Sequence, residues 1–64
     1  MQPHQQRVID EQAELETRLG KLTAFLQTDQ YSDLDIEDQS LLFRQAVIMK
    51  RYLNVLKGQI ARFE

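Results

Sequence analysis

Residues 41–63 read LLFRQAVIMKRYLNVLKGQIARF, and apolar side chains recur in this stretch at 42, 46, 49, 53, 56, 60 and 63. That alternation of four and three is the spacing of one helix face, since an α-helix turns once in about 3.6 residues. A second apolar line, Leu41, Ile48, Tyr52 and Val55, runs beside the first. At 100° per residue the two lines together fill an arc of roughly 180°, whereas a helix packed on one neighbour needs about 100°. Half of the face is spare, and contiguous apolar surface of that size on a monomer marks an interface. The expectation is a homo-oligomer built through this helix, with Leu41, Ile48, Met49, Tyr52, Val55 and Leu56 at the interface.

Upstream, Val8, Leu15, Leu19, Leu22 and Leu26 fall on one narrow helical face between Pro3 and Gln27. Pro3 suits a helix start, where its missing N–H has no partner to lose. Gly20 interrupts otherwise strong helix formers at a cost of ~1 kcal/mol against Ala. Between the two periodic segments, TDQYSDLD (28–35) is rich in side chains that bond their own backbone in turns and caps. Asp35 or Ser32 is placed to cap the second helix, and Glu37 and Asp38 suit the positive end of its dipole. The predicted fold is all-α: one domain, 1–64, in which a helix over about 3–27, a turn over 28–35 and a helix over about 36–63 form an antiparallel hairpin that assembles into a homo-oligomeric helical bundle.

The register follows from the turn. It sets Leu22 opposite Leu42 or Phe43, Leu19 opposite Ala46, Leu15 opposite Met49 and Val8 opposite Leu56. It also sets Glu14 near Lys50 and Arg51, and Asp10 and Glu11 near Asn54 and Lys57, so that acid faces base along the hairpin.

Size points to assembly as well. A domain of 64 residues buries only about 60% of the surface its unfolded chain exposes. Chains this small lean on disulfides, a structural metal or oligomerisation, and no Cys and one His are present. The lack of Cys also permits a reducing compartment, and the expected location is the cytoplasm of a host cell. Met1 leads into Gln-Pro-His-Gln-Gln with neither a basic start nor an apolar run, so a signal peptide or membrane span is not expected.

Inventory argues against an enzyme. The only Ser residues, Ser32 and Ser40, lie by the turn, and neither an EF-hand loop, an HExxH pair nor a Cys/His set occurs. His4 reads as a terminal residue rather than a ligand, and no cofactor or metal is expected. The net charge of −2 is unlike that of a duplex-binding protein. The charges are nevertheless sorted: acids cluster at 10–16 and 29–38, and from there to residue 63 every charged side chain is basic. Arg44, Arg51 and Arg62 line one border of the apolar arc, and Lys50 and Lys57 the other. Arg7, Arg18, Lys21 and Phe25 share a face of the first helix, with Glu14 among them. In an oligomer such borders converge near symmetry axes, giving a polyanion pocket with Tyr52 available to stack on a base. The candidate ligand residues are Arg7, Lys21, Arg44, Lys50, Arg51 and Tyr52. The alternative is that these cations are solvated rims paired to Asp10, Glu14 and Glu16.

The order of residues carries a further signal. Arg7-Val8-Ile9-Asp10-Glu11, Glu14-Leu15, Lys21-Leu22 with Ala24-Phe25-Leu26, then Leu34, Leu41-Leu42, Gln45, Met49, Tyr52-Leu53, Val55-Leu56 and Ile60 resemble a family of short phage proteins named after an open reading frame of a crAss-like phage. Gln12 stands where Lys is common there, and Gly58-Gln59 where Glu-Arg is usual. The resemblance implies phage origin and no established chemistry. The architecture is similar to that of phage anti-defence sponges, helical hairpins that assemble and capture the cyclic oligonucleotide signals of CBASS or Thoeris immunity. Two functions are therefore expected in order: an oligomeric sponge for a cyclic di- or trinucleotide, and an adaptor docking its spare apolar face on a protein helix.

Overall fold

The computed structural model describes residues 1–63, which form three helices: α1 (Pro3–Phe25), α2 (Asp29–Ser32) and α3 (Ile36–Ala61). The two long helices pack antiparallel along one another. α1 and α3 each stop two residues short of the expected ends.

Local chemistry sets the boundaries. α1 opens with Pro3 in its first turn, the Gln2 carbonyl accepting from the Gln5 and Gln6 N–H groups and the Gln5 side chain accepting from the Gln2 N–H at 3.0 Å. That reciprocal pattern satisfies donors which a helix start leaves free. At the other end Thr28 serves two helices. Its hydroxyl donates to the Phe25 carbonyl (2.7 Å) and accepts from the Tyr31 N–H (3.2 Å), closing α1 and capping α2.

The connection is a built corner rather than a plain turn, because α2 lies within it. Tyr31 Oη donates to the Gln39 carbonyl (2.9 Å), while Gln39 Nε2 donates to the carbonyls of Ser32 (3.0 Å) and Leu34 (2.9 Å). The Tyr31 ring meets Phe25 edge-on, with centroids 6.2 Å apart. Asp35 occupies the cap position of α3 through its carbonyl, which accepts from the Gln39 N–H at 2.9 Å, and its side chain makes no cap bond. Ser32 belongs to α2 instead.

Among the described residues three hydrophobic side chains are buried: Leu15 at 4% exposure, Leu53 at 7% and Leu56 at 3%. Val8, Leu19 and Met49 pack around them. Leu42 is half-buried and Phe43 is 58% exposed, so of the two candidates opposite Leu22 it is Leu42 that turns inward. The second apolar line has no cover, with Leu41 at 57%, Ile48 at 62%, Tyr52 at 43% and Val55 at 57%.

The shape is long and thin, 46 × 14 × 13 Å. Its radius of gyration is 14.7 Å, against about 10.7 Å for a compact chain of this length. Its accessible surface is 5187 Å², against about 4,300 Å² for a compact protein of this mass. The hairpin by itself therefore leaves much apolar surface in water.

The expected charge register needs correcting. Lys57 pairs with Glu16 at 3.4 Å, the one ion pair among the described residues, and Glu11 is bonded to Tyr52. Asp10 and Glu11 lie closer to the axial level expected for Lys57, but a helix also has flanks. At 100° per residue Glu16 and Glu11 emerge on opposite sides of the inward face of α1, and Lys57 leans over the Glu16 side.

Candidate functional site

Because α1 and α3 are cylinders in contact along one seam, each flank of the seam is a groove. The two grooves have similar volumes and different chemistry. One, of about 440 Å³, is lined by Leu19, Thr23, Ala46, Val47, Lys50, Leu53, Asn54 and Lys57. Lys57 is already engaged with Glu16 there. The other, of about 500 Å³, is lined by Leu15, Arg18, Lys21, Leu22, Gln45, Met49 and Tyr52.

This second groove combines an apolar floor with four polar groups of complementary kinds. Arg18 and Lys21, three residues apart on α1, share one wall, as helical neighbours do. Tyr52 and Gln45, seven residues apart on α3, share the other. Two cations attract phosphate, the guanidinium in bidentate fashion. The phenol ring and the amide suit the face and edge of a base. The seven lining residues include no carboxylate.

Tyr52 is fixed in place. Its hydroxyl donates to Glu11 Oε2, one turn along α1 from Leu15. That hydrogen bond holds the phenol above its ordinary range, with desolvation and the negative charge of Glu11 adding to the effect. The phenol therefore stays neutral, a donor with an intact ring, and does not act as a base at neutral pH.

The sequence-predicted ligand residues are not brought together. Lys21 and Tyr52 share the second groove, while Lys50 lies in the first, on the opposite flank. Arg44 sits in a shallow recess with Glu37, Ser40 and Leu41. Arg51 is exposed and lines none of these hollows, and Arg7, near the start of α1, likewise lines none. Arg18 is the residue missed. It shares a helix face with Arg7 and Lys21 in the sequence, and only the packed seam shows that its level coincides with Tyr52.

The expected interface residues divide as well. Leu56 is consumed by the core of its own chain and Met49 packs beside it, whereas Leu41, Ile48, Tyr52 and Val55 face outward. Among the described residues no cluster of His, Asp or Glu is placed to hold a metal ion, and no helix is long and apolar enough to cross a membrane.

Comparison with known proteins adds kinship to this geometry. The profile of the Sequestin family matches residues 2–62. The chain belongs to the Sequestin family. An uncharacterized 7.5 kDa protein from the denB-rIIB intergenic region of Enterobacteria phage T4 is 31% identical over 64 residues, covering 100% of both chains. No solved structure matches. The Sequestin match and the phage T4 relative establish a phage small-protein family, the coarser part of the resemblance drawn from residue order; neither bears on a crAss-like source.

Proposed function

We propose that the protein is a non-enzymatic phage accessory protein that sequesters a small nucleotide signal of host immunity, a cyclic oligonucleotide, and does so as a homo-oligomer. The observation that carries this reading is the convergence of Arg18, Lys21, Gln45 and Tyr52 on one open groove with an apolar floor. Sequestration needs binding without turnover, and the groove offers phosphate and base contacts with no activated nucleophile or general base. The Sequestin name of the family supports the same reading.

Calorimetric titration with cyclic di- and trinucleotides tests it. Binding to at least one is expected, recovered unchanged after release and weakened at least tenfold by Arg18→Gln. No heat with any of them overturns the reading. The exposed Leu41, Ile48 and Val55 favour a second reading, an adaptor that docks this line on a helix of another protein. Under it the pure protein stays monomeric and gains mass only with its partner, whereas the sponge is assembled before ligand arrives. Light scattering of the pure protein separates them.

A further inference from the structure

We infer that Glu11, which lines neither groove, is the positioning residue that gives the groove of Arg18 and Tyr52 its direction. It holds the Tyr52 ring as a base platform at one end and keeps phosphate away from that end. The inference rests on the sequestering function proposed above and adds which way round the ligand lies and what selects it.

The charges along α1 are ordered beside this groove. Glu11, Glu14, Arg18 and Lys21 follow one another at spacings of three, four and three, so at 100° per residue they share a stripe about 80° wide. Two acids come first and two bases follow. Only the bases line the groove, while Glu14 lies in a neighbouring recess with Thr17 and Arg18. From Glu11 to Lys21 the helix rises about 15 Å. Antiparallel packing puts Tyr52 level with the acid end, where it meets Glu11, and Gln45 toward the basic end. The groove therefore has a different sign at each end.

Among the described residues two side-chain bonds cross from α1 to α3, one on each flank. The pair of Lys57 and Glu16 joins two long, exposed side chains, and such a pair constrains little. The bond from Tyr52 Oη to Glu11 Oε2 does more. A tyrosine side chain has only two torsions to its ring, and with one end fixed on α3 and the hydroxyl fixed on α1 the plane of the ring is set before a ligand arrives. Burial does not require this bond, since Tyr52 is 43% exposed and water would satisfy its hydroxyl. Its consequence is orientation, and a contact held in its bound geometry loses less entropy on binding.

The same bond decides what the ring offers. A phenol has one O–H to donate, and Glu11 takes it, so Tyr52 presents its face to a base and no donor to a phosphate. The Glu11 carboxylate repels phosphate from that end as well. A nucleotide then lies with its base toward Tyr52 and its phosphate toward Arg18 and Lys21. Two cations alone bind any phosphate; a groove with this direction prefers phosphate that carries a base.

Calorimetry on the full chain compares inorganic pyrophosphate with the best-bound of cyclic di-AMP, cyclic di-GMP and cyclic tri-AMP. The wild-type protein should bind the cyclic nucleotide at least about tenfold more tightly than pyrophosphate. Glu11→Ala frees the ring and removes the charge, so the cyclic nucleotide should weaken about tenfold while pyrophosphate tightens about two- to fivefold. Glu11→Gln keeps an acceptor for the phenol without the charge. There the cyclic nucleotide should stay within about threefold of wild type, with pyrophosphate tightened as in Glu11→Ala. Loss of structure weakens both probes together and cannot give shifts of opposite sign. Near-ultraviolet circular dichroism without ligand reports the ring itself: the tyrosine band should fall in Glu11→Ala and persist in Glu11→Gln, with helicity unchanged in both. Tyr31, held in the corner, contributes equally throughout. Both probes moving together in Glu11→Ala, or an unchanged tyrosine band there, overturns the role of Glu11 and leaves the sponge reading standing. So does a wild-type protein that binds pyrophosphate as tightly as the best cyclic nucleotide. No heat with any probe overturns the sponge reading and the role of Glu11 with it.

Discussion

Leu56 and Val55 are adjacent on one helix and live in different environments. Leu56 is sealed against α1, and Val55 stands in water on the outer line. The same contrast repeats along α3, with Leu53 beside Tyr52 and Met49 beside Ile48. The inner line makes the hairpin. Leu41, Ile48 and Val55 of the outer line stand exposed and Tyr52 reaches α1 only at its rim, through the bond to Glu11, yet the line has the same spacing and similar side chains. A helix bearing two apolar lines about 100–120° apart has room for two neighbours, and one chain supplies only one of them.

The sharpest way to break this contrast is to truncate each neighbour in turn. Leu56→Ala removes buried atoms and leaves a cavity, at about 2–5 kcal/mol, which is comparable to the whole stability of a core this small. Circular dichroism should show most helix lost at 25 °C. Val55→Ala should keep full helicity at a concentration dilute enough for single chains, with a change within about 0.5 kcal/mol. Equal effects would erase the distinction between the lines.

The corner that joins the helices offers an intermediate effect. Tyr31→Phe deletes the hydroxyl that donates to the Gln39 carbonyl. Urea unfolding should register a loss of about 1 kcal/mol, and no loss would mean that the corner contributes no stability through this bond. A smaller effect of opposite sign tests the exposed backs of the helices. A Cβ added at Gly20 or Gly58 meets nothing within 4 Å, so Gly20→Ala and Gly58→Ala should each raise stability by about 0.5–1 kcal/mol. Destabilisation by either would place an unseen neighbour on that side.

The smallest effect concerns pH at the rim of the groove. Tyr52 is held above the ordinary phenol range by Glu11, so the folded state keeps a proton that the unfolded chain releases near pH 10. The stability from this pair is fully present below about pH 10 and falls as the pH climbs through the raised folded value. Tyrosinate absorbance should show one titration displaced upward, and Glu11→Gln should bring it back down. An unchanged titration in that variant would remove Glu11 as the cause.

Much of this was legible in the spacing of residues 41–63, because helical periodicity depends only on local geometry and two lines one residue apart cannot both face one neighbour. The corner was legible only as a break. The bonds from Tyr31 to Gln39 and from Gln39 back to Ser32 and Leu34 depend on the path the backbone takes between helices, which turn composition does not specify. The site was half legible. Lys21 and Tyr52 were identifiable as a cation and a stacking ring, but the borders of α3 carrying Arg44 and Lys50 end on different sides of the molecule. Axial register alone paired Lys57 with the wrong acid for the same reason. Arg18 entered only once the flank of α1 facing Tyr52 was fixed by packing.

The proposed homo-oligomer sets the outer line of α3 against a second copy of the chain. Sedimentation equilibrium of the wild-type protein across a hundredfold concentration range, with Ile48→Asp beside it, tests this most directly. The expected result is a mass of at least twice the 7.6 kDa chain, dissociating on dilution by mass action, and a variant that stays at the single-chain mass because an unpaired carboxylate in that seam is costly to desolvate. A wild-type protein that remains at 7.6 kDa throughout, or a variant that assembles as readily, would contradict it.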